Sequence, residues 1–244
     1  MNQPIALLLA TPLLSALLIL LLPNLKRHGI ARLSVGLSAL TFAIAVISLA
    51  LYVFHPHPQW LSSGLAWGSL YLDPLTSVMT MAVTGISLVV HVYSVRYMAE
   101  EPGYARFYIL LDLMTATILL MVSAGDLITL LVAWHLIGVL LYFLLGHDLV
   151  RPTAQRYAFW SLFTYRLGDL PLILASVLLY KAYGTFAIPT LFERIAENPD
   201  VQTVLGLPLT FAVAMLIALS AFARSAQFPL HTWLPYTMEG PTPV

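Results

Sequence analysis

The chain has 244 residues, of which 60% are hydrophobic and only 9% are charged, and its mean hydropathy is +0.88. Soluble domains carry about 25% charged residues, so this composition excludes an ordinary water-soluble globule. Cysteine is absent, which excludes a disulfide framework and a thiolate metal site. Eleven basic residues balance eleven acidic ones without a clustered basic face, so nucleic acid is not an expected partner.

Seven apolar segments are each long enough to cross a bilayer as a helix, which takes roughly 20 residues. In chain order they are residues 4–23, 33–54, 74–94, 107–124, 127–146, 158–180 and 208–226. The first segment has no positively charged start and no small-residue cleavage site, so we expect a retained span rather than a cleaved signal. The sequence therefore predicts an all-α, polytopic membrane protein with about seven transmembrane helices in a single membrane domain, residues 1–244.

Basic residues are concentrated in alternate connections between these spans. One side holds Lys26, Arg27, Arg32, Arg96, Arg106, Arg151 and Arg156, whereas the other holds only Lys181 and Arg194. Because positively charged loops stay in the cytoplasm, this asymmetry predicts that the N-terminus lies outside. We expect a multi-pass membrane location in which this basic side faces the cytoplasm.

Two outer segments have the composition of interfacial structure. Residues 55–73 include Trp60, Trp67 and Tyr71, which is typical of the aromatic belt at a membrane surface. Residues 186–205 alternate apolar and charged groups and predict a short helix lying on the surface. The alternative interpretation is that both are plain connecting loops.

Ionisable residues inside the predicted spans are the candidate functional residues, because burying them costs several kcal/mol and they usually face a bundle interior or an ion path. They are His91, Asp112, His135, Arg166, Asp169 and Arg224. His135 lies near the centre of the fifth span, in LLVAWHLIGVLLY. An imidazole changes charge near neutral pH, so His135 could relay protons. Alternatively, its neutral ring could simply bond a neighbouring carbonyl.

Arg166 and Asp169 are three residues apart in FTYRLGDLPL and can pair on one helix face. A purely structural ion pair is the alternative to a place on an ion path. Asp112 and His91 are weaker candidates, since Asp112 lies near the inner end of the fourth span, where we expect it to be solvated.

The seventh span is predicted to break at residues 225–229, because Pro229 removes a backbone donor five residues after Arg224. Broken helices in transporters expose polar backbone groups beside an ion path. His231 would be the next polar group if helical geometry resumes. The alternative is a simple stop at the membrane edge, anchored by Arg224.

Catalytic chemistry is not visible in this sequence. No pair of His, Asp or Glu has metal-ligand spacing, and neither a Ser/His/Asp arrangement nor a glycine-rich phosphate loop occurs. We therefore expect a transport or coupling subunit without a cofactor of its own.

Three stretches carry a family resemblance that extends over roughly residues 70–244. They are RYMAEEPGYARFYILLDLMTATILLMVSAGDLITLLVAWHLIGVLLYFLLG, RLGDLPLILASVLLYKAYGT and SAQFPLHTWLPYTMEGPTPV. The chain resembles the antiporter-like membrane subunits of respiratory complex I and of Mrp-type cation/proton antiporters. Within that family, RPTAQRYAF, LLYKAYGTF and WLPYTMEGPTPV look most like the membrane subunit (DabB) of DAB-type inorganic carbon transporters.

The resemblance implies a proton- or cation-translocating subunit that couples ion flux to the accumulation of CO2 or bicarbonate. It also implies three kinds of partner: a large soluble zinc protein resembling a carbonic anhydrase (DabA type), a subunit or later segment that supplies the other antiporter half, and membrane lipid. The alternatives are a proton-pumping subunit of a complex I-like NAD(P)H–quinone oxidoreductase or of an Mrp-type antiporter, and a scaffold half that conducts no ions.

Two residues depart from the family pattern. His135 stands where the complex I branch typically has a glutamate, and Arg224 falls on the position of the family's buried lysine. A guanidinium does not shed its proton as a buried lysine can, and it would repel a protonated His135. Either the proton path is rebuilt around His135 and Asp169, or this half has lost autonomous pumping.

Overall fold

The computed structural model describes residues 3–54, 59–61, 68–199, 203–204 and 206–243. The helices in these ranges are α1 (Gln3–Leu21), α2 (Arg27–Phe54), α3 (Pro74–Tyr97), α4 (Tyr104–Val122), α5 (Leu127–Leu145), α6 (Pro152–Tyr183), α7 (Ile188–Glu197) and α8 (Leu209–Arg224). A 3₁₀ helix follows at Pro235–Glu239. Two small antiparallel hairpins pair β1 (Gln59–Leu61) with β2 (Leu70–Leu72) and β3 (Thr203–Val204) with β4 (Leu207–Pro208).

All seven predicted spans are helical, which confirms the all-α, polytopic fold. Helices α2 to α6 are long and apolar enough to cross a membrane, and the apolar stretches Ile5–Leu21 and Leu209–Arg224 are shorter. Large hydrophobic side chains remain exposed along the helices, for example Ile86 at 66% and Leu170 at 59%. Lipid contact explains this exposure, because a bilayer accepts apolar surface that water would not.

Small and hydroxyl-bearing residues form the buried face of α2. They recur at helical spacing: Ile30, Ala31, Ser34, Ser38, Thr41, Ala45 and Ser48. Lipid tails are as apolar as leucine, so helices in a membrane associate through close packing and hydrogen bonds, which small polar residues permit. The face that packs is therefore the less hydrophobic one.

One end of the bundle, which we call the hairpin end, joins three connections of the chain. Tyr71 N donates to Ser123 O at 2.8 Å, and Ile188 N donates to Gly125 O at 2.9 Å. Asp126 caps α5 and also accepts from Ser69. The segments before α3, before α5 and after α6 consequently lie on the same side, as alternating spans require.

The opposite end, which we call the arginine end, joins the other connections. Arg27 donates to the Ala99 and Glu101 carbonyls, and Arg106 donates to the His147 carbonyl. Arg151 lies 3.8 Å from Glu239 of the 3₁₀ helix. Arg27, Arg106 and Arg151, which the sequence predicts on one side of the membrane, thus lie at the same end of the bundle.

The two predicted outer segments are only partly described. In the first, the side chain of Trp60 and all of Trp67 lie outside the described residues. The second contains α7, which buries Leu191 and leaves Phe192 70% exposed. Their location at the membrane surface stays a prediction.

Candidate functional site

Asp169 is the centre of a buried polar cluster between α5, α6 and α8. It is 1% exposed, and its Oδ1 accepts a hydrogen bond from Trp134 Nε1 at 2.7 Å. Arg224 Nη2 lies 3.3 Å from the same oxygen, and Arg166 Nη1 lies 3.3 Å from Oδ2. The predicted pairing of Arg166 with Asp169 is therefore present, and Arg224 joins it from a third helix.

Arg224 is the last residue of α8 and points into the bundle. Its guanidinium carbon lies 4.8 Å from the centre of the Trp134 ring and 4.5 Å from that of Tyr165. It also donates to the Trp134 carbonyl. Ring faces attract cations and compensate for lost water. Arg224 consequently belongs to the cluster and does not reach towards a membrane surface.

Glycines allow these groups to approach one another. A Cβ on Gly168 would lie 2.2 Å from Ala223 Cβ, so α6 and α8 can touch here only because this side chain is missing. A Cβ on Gly138 would lie 3.1 Å from Arg166 Nη2 and 3.4 Å from the Tyr165 ring. The close helix contact brings Asp169 and Arg224 together.

The predicted break of the seventh span is confirmed. Helix α8 ends at Arg224, Ala226 has a φ of 53°, and the chain continues in turns up to the 3₁₀ helix. Trp233 Nε1 donates to Ala223 O at 2.9 Å and satisfies a carbonyl of the last turn. His231 follows the break, is exposed and stacks on Phe228, so it lies outside the Asp169 cluster.

His135 faces Asp169 from α5. Its Nδ1 lies 2.9 Å from Leu131 O, and its Nε2 lies 3.8 Å from Asp169 Oδ2. A carbonyl oxygen can only accept, so Nδ1 carries the proton and Nε2 is bare in the neutral ring. Asp169 Oδ2 is buried without a hydrogen-bond partner. Two acceptors therefore face each other at 3.8 Å, and a proton on Nε2 would turn this contact into an ion pair.

His91 and Asp112 form a second cluster among α1 to α4. They are 0% and 1% exposed, and His91 Nε2 lies 3.0 Å from Asp112 Oδ1. The prediction of a solvated Asp112 is wrong, because Ser15 and Ser34 from two other helices cover it and donate to its carboxylate. No hydrogen bond joins this cluster to Asp169 among the residues that the structure describes.

His147 and Asp126, which lie outside the spans, have shifted pKa values. Burial lowers the pKa of His147, and the neighbouring Arg106 lowers it further, although a hydrogen bond to the Pro102 carbonyl opposes them. Burial raises the pKa of Asp126, but hydrogen bonds from Ser69 and Thr129 outweigh it, and the pKa is lowered. Both residues fasten connections at the bundle ends.

Sequence reasoning missed the uncharged members of the Asp169 cluster. These are Trp134, Tyr165, Gly138 and Gly168. Their position in the sequence could have indicated them, because each lies within three residues of His135, Arg166 or Asp169. Among the described residues, no group of three or more His, Cys, Asp or Glu side chains could hold a metal ion.

Comparison with known proteins places the chain in a family. The profile described as "NADH:quinone oxidoreductase/Mrp antiporter, TM" matches residues 124–244, and "NADH-Ubiquinone oxidoreductase (complex I), chain 5 N-terminus" matches residues 60–108. The chain belongs to this family of antiporter-like membrane subunits. The predicted multi-pass membrane location and the predicted resemblance are thereby confirmed.

Three similar proteins represent different branches of this family. The chain is 61% identical over 234 residues to a probable inorganic carbon transporter subunit, DabB1, of Halothiobacillus neapolitanus, covering 96% of the chain and 42% of that protein. It is 39% identical over 173 residues to the chloroplast NAD(P)H-quinone oxidoreductase subunit 5 of Digitalis grandiflora, covering 71% of the chain and 25% of that protein. A solved Mrp complex from a Dietzia species matches with a TM-score of 0.78 and 29% identity, over 98% of the chain and 25% of the solved chain. The chain thus spans less than half the length of each of these relatives.

Proposed function

We propose that the chain is part of the membrane subunit of a DAB-type inorganic carbon transporter and moves protons to drive the accumulation of CO2 or bicarbonate. The observation that carries this proposal is 61% identity across 96% of the chain to a probable inorganic carbon transporter subunit. The relatives are subunits, so we expect this chain to work with partner membrane subunits in the inner membrane of a bacterium. A soluble, zinc-containing subunit resembling carbonic anhydrase (DabA type) would perform the hydration.

The proton path would use His135 and Asp169, because neither arginine can release a proton at working pH. A proton that arrives at Nε2 of His135 makes the ring an imidazolium, which the Asp169 carboxylate attracts from 3.8 Å. Arg166 and Arg224 already give the cluster one more positive than negative charge.

A growth experiment tests the proposal. The natural gene cluster would be expressed in a bacterium that lacks carbonic anhydrase and grows only at high CO2. We expect rescue in air by the wild type and by His28→Gln, a substitution of an exposed histidine at the start of α2. His135→Gln should lose rescue while the amount of assembled complex is unchanged. Rescue by His135→Gln equal to that of the wild type would remove His135 from the path.

The same experiment separates the two other candidates. A scaffold that conducts no ions predicts that Asp169→Asn lowers the amount of assembled complex but leaves rescue per complex unchanged. The family profiles also support a complex I-like or Mrp-type pump. In that case the wild-type cluster would fail to rescue growth in air, and the purified complex would oxidise NAD(P)H or exchange cations for protons instead of containing zinc.

A further inference from the structure

The His91–Asp112 pair contains one proton more than a neutral imidazole and a carboxylate possess together. His91 Nδ1 lies 2.7 Å from the Ser87 carbonyl, which can only accept, so Nδ1 carries a proton. His91 Nε2 lies 3.0 Å from Asp112 Oδ1, and one of these two atoms must also carry a proton for the bond to exist. The bond therefore requires either an imidazolium with a carboxylate or a neutral ring with a carboxylic acid.

The surroundings favour the imidazolium with the carboxylate. Asp112 Oδ2 accepts from Ser15 Oγ at 2.7 Å and from Ser34 Oγ at 3.0 Å, and hydrogen bonds to the charged form of a carboxylate stabilise it. Tyr108 is the titratable neighbour on α4, and its hydroxyl donates to the His91 carbonyl at 3.2 Å. The contacts from α1 and α2 are these serine hydroxyls, which carry no charge.

Burial favours retention of this proton. With it the pair is neutral as a whole, whereas without it a net negative charge would remain among four apolar helices. An uncompensated charge in apolar surroundings is strongly disfavoured. The Asp169 cluster is different, since it has an excess positive charge and a vacant proton position.

Hydroxyl groups connect the pair to a cavity between α3 and α4. The cavity has a volume of about 240 Å³, and its polar lining residues are Ser87 and Thr115. Ser87 Oγ lies 2.7 Å from Thr115 Oγ1 and 3.3 Å from His91 Nδ1. The rest of the lining is apolar and includes the exposed Ile86. A water molecule beside Ser87 and Thr115 fits in the space and has the two polar partners that it needs.

The geometry points to His91–Asp112 as a second proton-binding site, which exchanges its proton with water in this cavity through Ser87. In the exchange, Nδ1 gives its proton to the Ser87 hydroxyl as that hydroxyl passes its own proton to a water molecule. The hydroxyl then donates to the bare Nδ1, which no longer bonds the Ser87 carbonyl. The proton between Nε2 and Asp112 then remains with the ring, and the reverse sequence reloads the pair. The site does not depend on the proposed role of His135 and Asp169.

Nitrogen NMR of the histidine rings tests the bound proton. The full-length protein in lipid, within its complex, would be labelled at the histidine rings and measured at about pH 8, well above the reference histidine pKa of about 6.5. The His91 signal is identified by its loss in His91→Gln. We expect two protonated ring nitrogens in the wild type and in Ser48→Ala, a buried serine of α2 outside this cluster, but a single one in Asp112→Asn. A neutral His91 ring beside an ionised Asp112 in the wild type, the latter read from its infrared carboxylate band, would overturn the proposal.

A separate measurement tests whether the His91 proton exchanges with water in the cavity. Hydrogen–deuterium exchange at His91 Nδ1 should be slower in Ser87→Ala than in the wild type, whereas Ser94→Ala, on the same helix but outside the cavity lining, should leave it unchanged. Equal exchange rates in Ser87→Ala and the wild type would contradict the route through Ser87. Both measurements need no transport, so they can fail or succeed independently of the growth experiment.

Discussion

At the scale of single residues, the partners of a buried charge determine what it can do. Asp169 and Asp112 are equally buried, at 1% exposure. Asp169 faces two guanidiniums and an indole, whereas Asp112 faces a histidine and two serines. The first arrangement surrounds a carboxylate with positive charges that cannot release a proton, and the second places a carboxylate beside a ring with which it can share one.

Asp169→Asn should destabilise the protein strongly, because Arg166 and Arg224 would keep their charges and lose their counterion. Removing one partner of a buried ion pair costs about 3–5 kcal/mol. Thermal unfolding of the purified protein in lipid discs measures the effect. The matched control is Asp148→Asn, whose partially exposed pair with Arg151 should be worth less than about 1 kcal/mol. Similar losses for the two variants would show that the Asp169 cluster is not the stabilising element.

His147 should make stability depend on pH. Its folded pKa is lowered by burial and by Arg106, while the unfolded chain has the ordinary value of about 6.5. Above about pH 6.5 neither state binds the proton, and below it the unfolded state binds it first, so stability falls as the pH drops towards the folded pKa. Unfolding temperatures measured across this window should show the fall in the wild type, and a much shallower one in His147→Gln. An unchanged slope in that variant would assign the dependence to other groups.

At the scale of helices, the contact of α6 with α8 positions the site. Gly168 lets the helices meet beside Asp169, and α8 ends one residue after Ala223, which leaves Arg224 at the junction. The break is supported by Trp233, which bonds the Ala223 carbonyl and packs its ring 4.7 Å from that of Tyr165. The end of α8 and its close contact with α6 therefore both determine where Arg224 lies relative to Asp169.

Gly168→Ala should force α6 and α8 apart, since its Cβ would lie 2.2 Å from Ala223 Cβ. Overpacking of this kind costs about 1–3 kcal/mol. Thermal unfolding should show the loss, and Ala223→Gly in the same protein should recover part of it. Gly36→Ala is the matched control, because a Cβ there meets nothing within 4 Å. Equal effects at the two glycines would mean that helix propensity, and not the contact, matters.

At the scale of the whole molecule, the two ends of the bundle differ in charge and in structure. The hairpin end holds short strands and α7, whereas the arginine end holds guanidiniums that bond loop carbonyls. These bonds give the basic residues a structural role besides their effect on orientation. The charge asymmetry predicts that the arginine end lies in the cytoplasm.

Single cysteines can test this orientation, because the chain has none of its own. Val150→Cys lies at the arginine end and Phe192→Cys on α7, and the native side chains are 90% and 70% exposed. A membrane-impermeant maleimide should label Phe192→Cys in intact cells, but Val150→Cys only after the membrane is opened. The wild-type chain should remain unlabelled in both cases. The opposite labelling pattern would place the N-terminus in the cytoplasm.

The sequence by itself predicted the spans, the break after Arg224 and the pairing of Arg166 with Asp169. These depend on local chemistry: the length of an apolar run, the missing donor of a proline, and a spacing of three residues on one helix. It could not show that Asp112 is buried, because the serines that cover it are 97 and 78 residues away in the chain. Nor could it place Asp169 between Arg224 and His135, since that position depends on how closely three helices pack. Apolar length decides where a chain crosses a membrane, but only tertiary packing decides which buried charges meet and whether a proton lies between them.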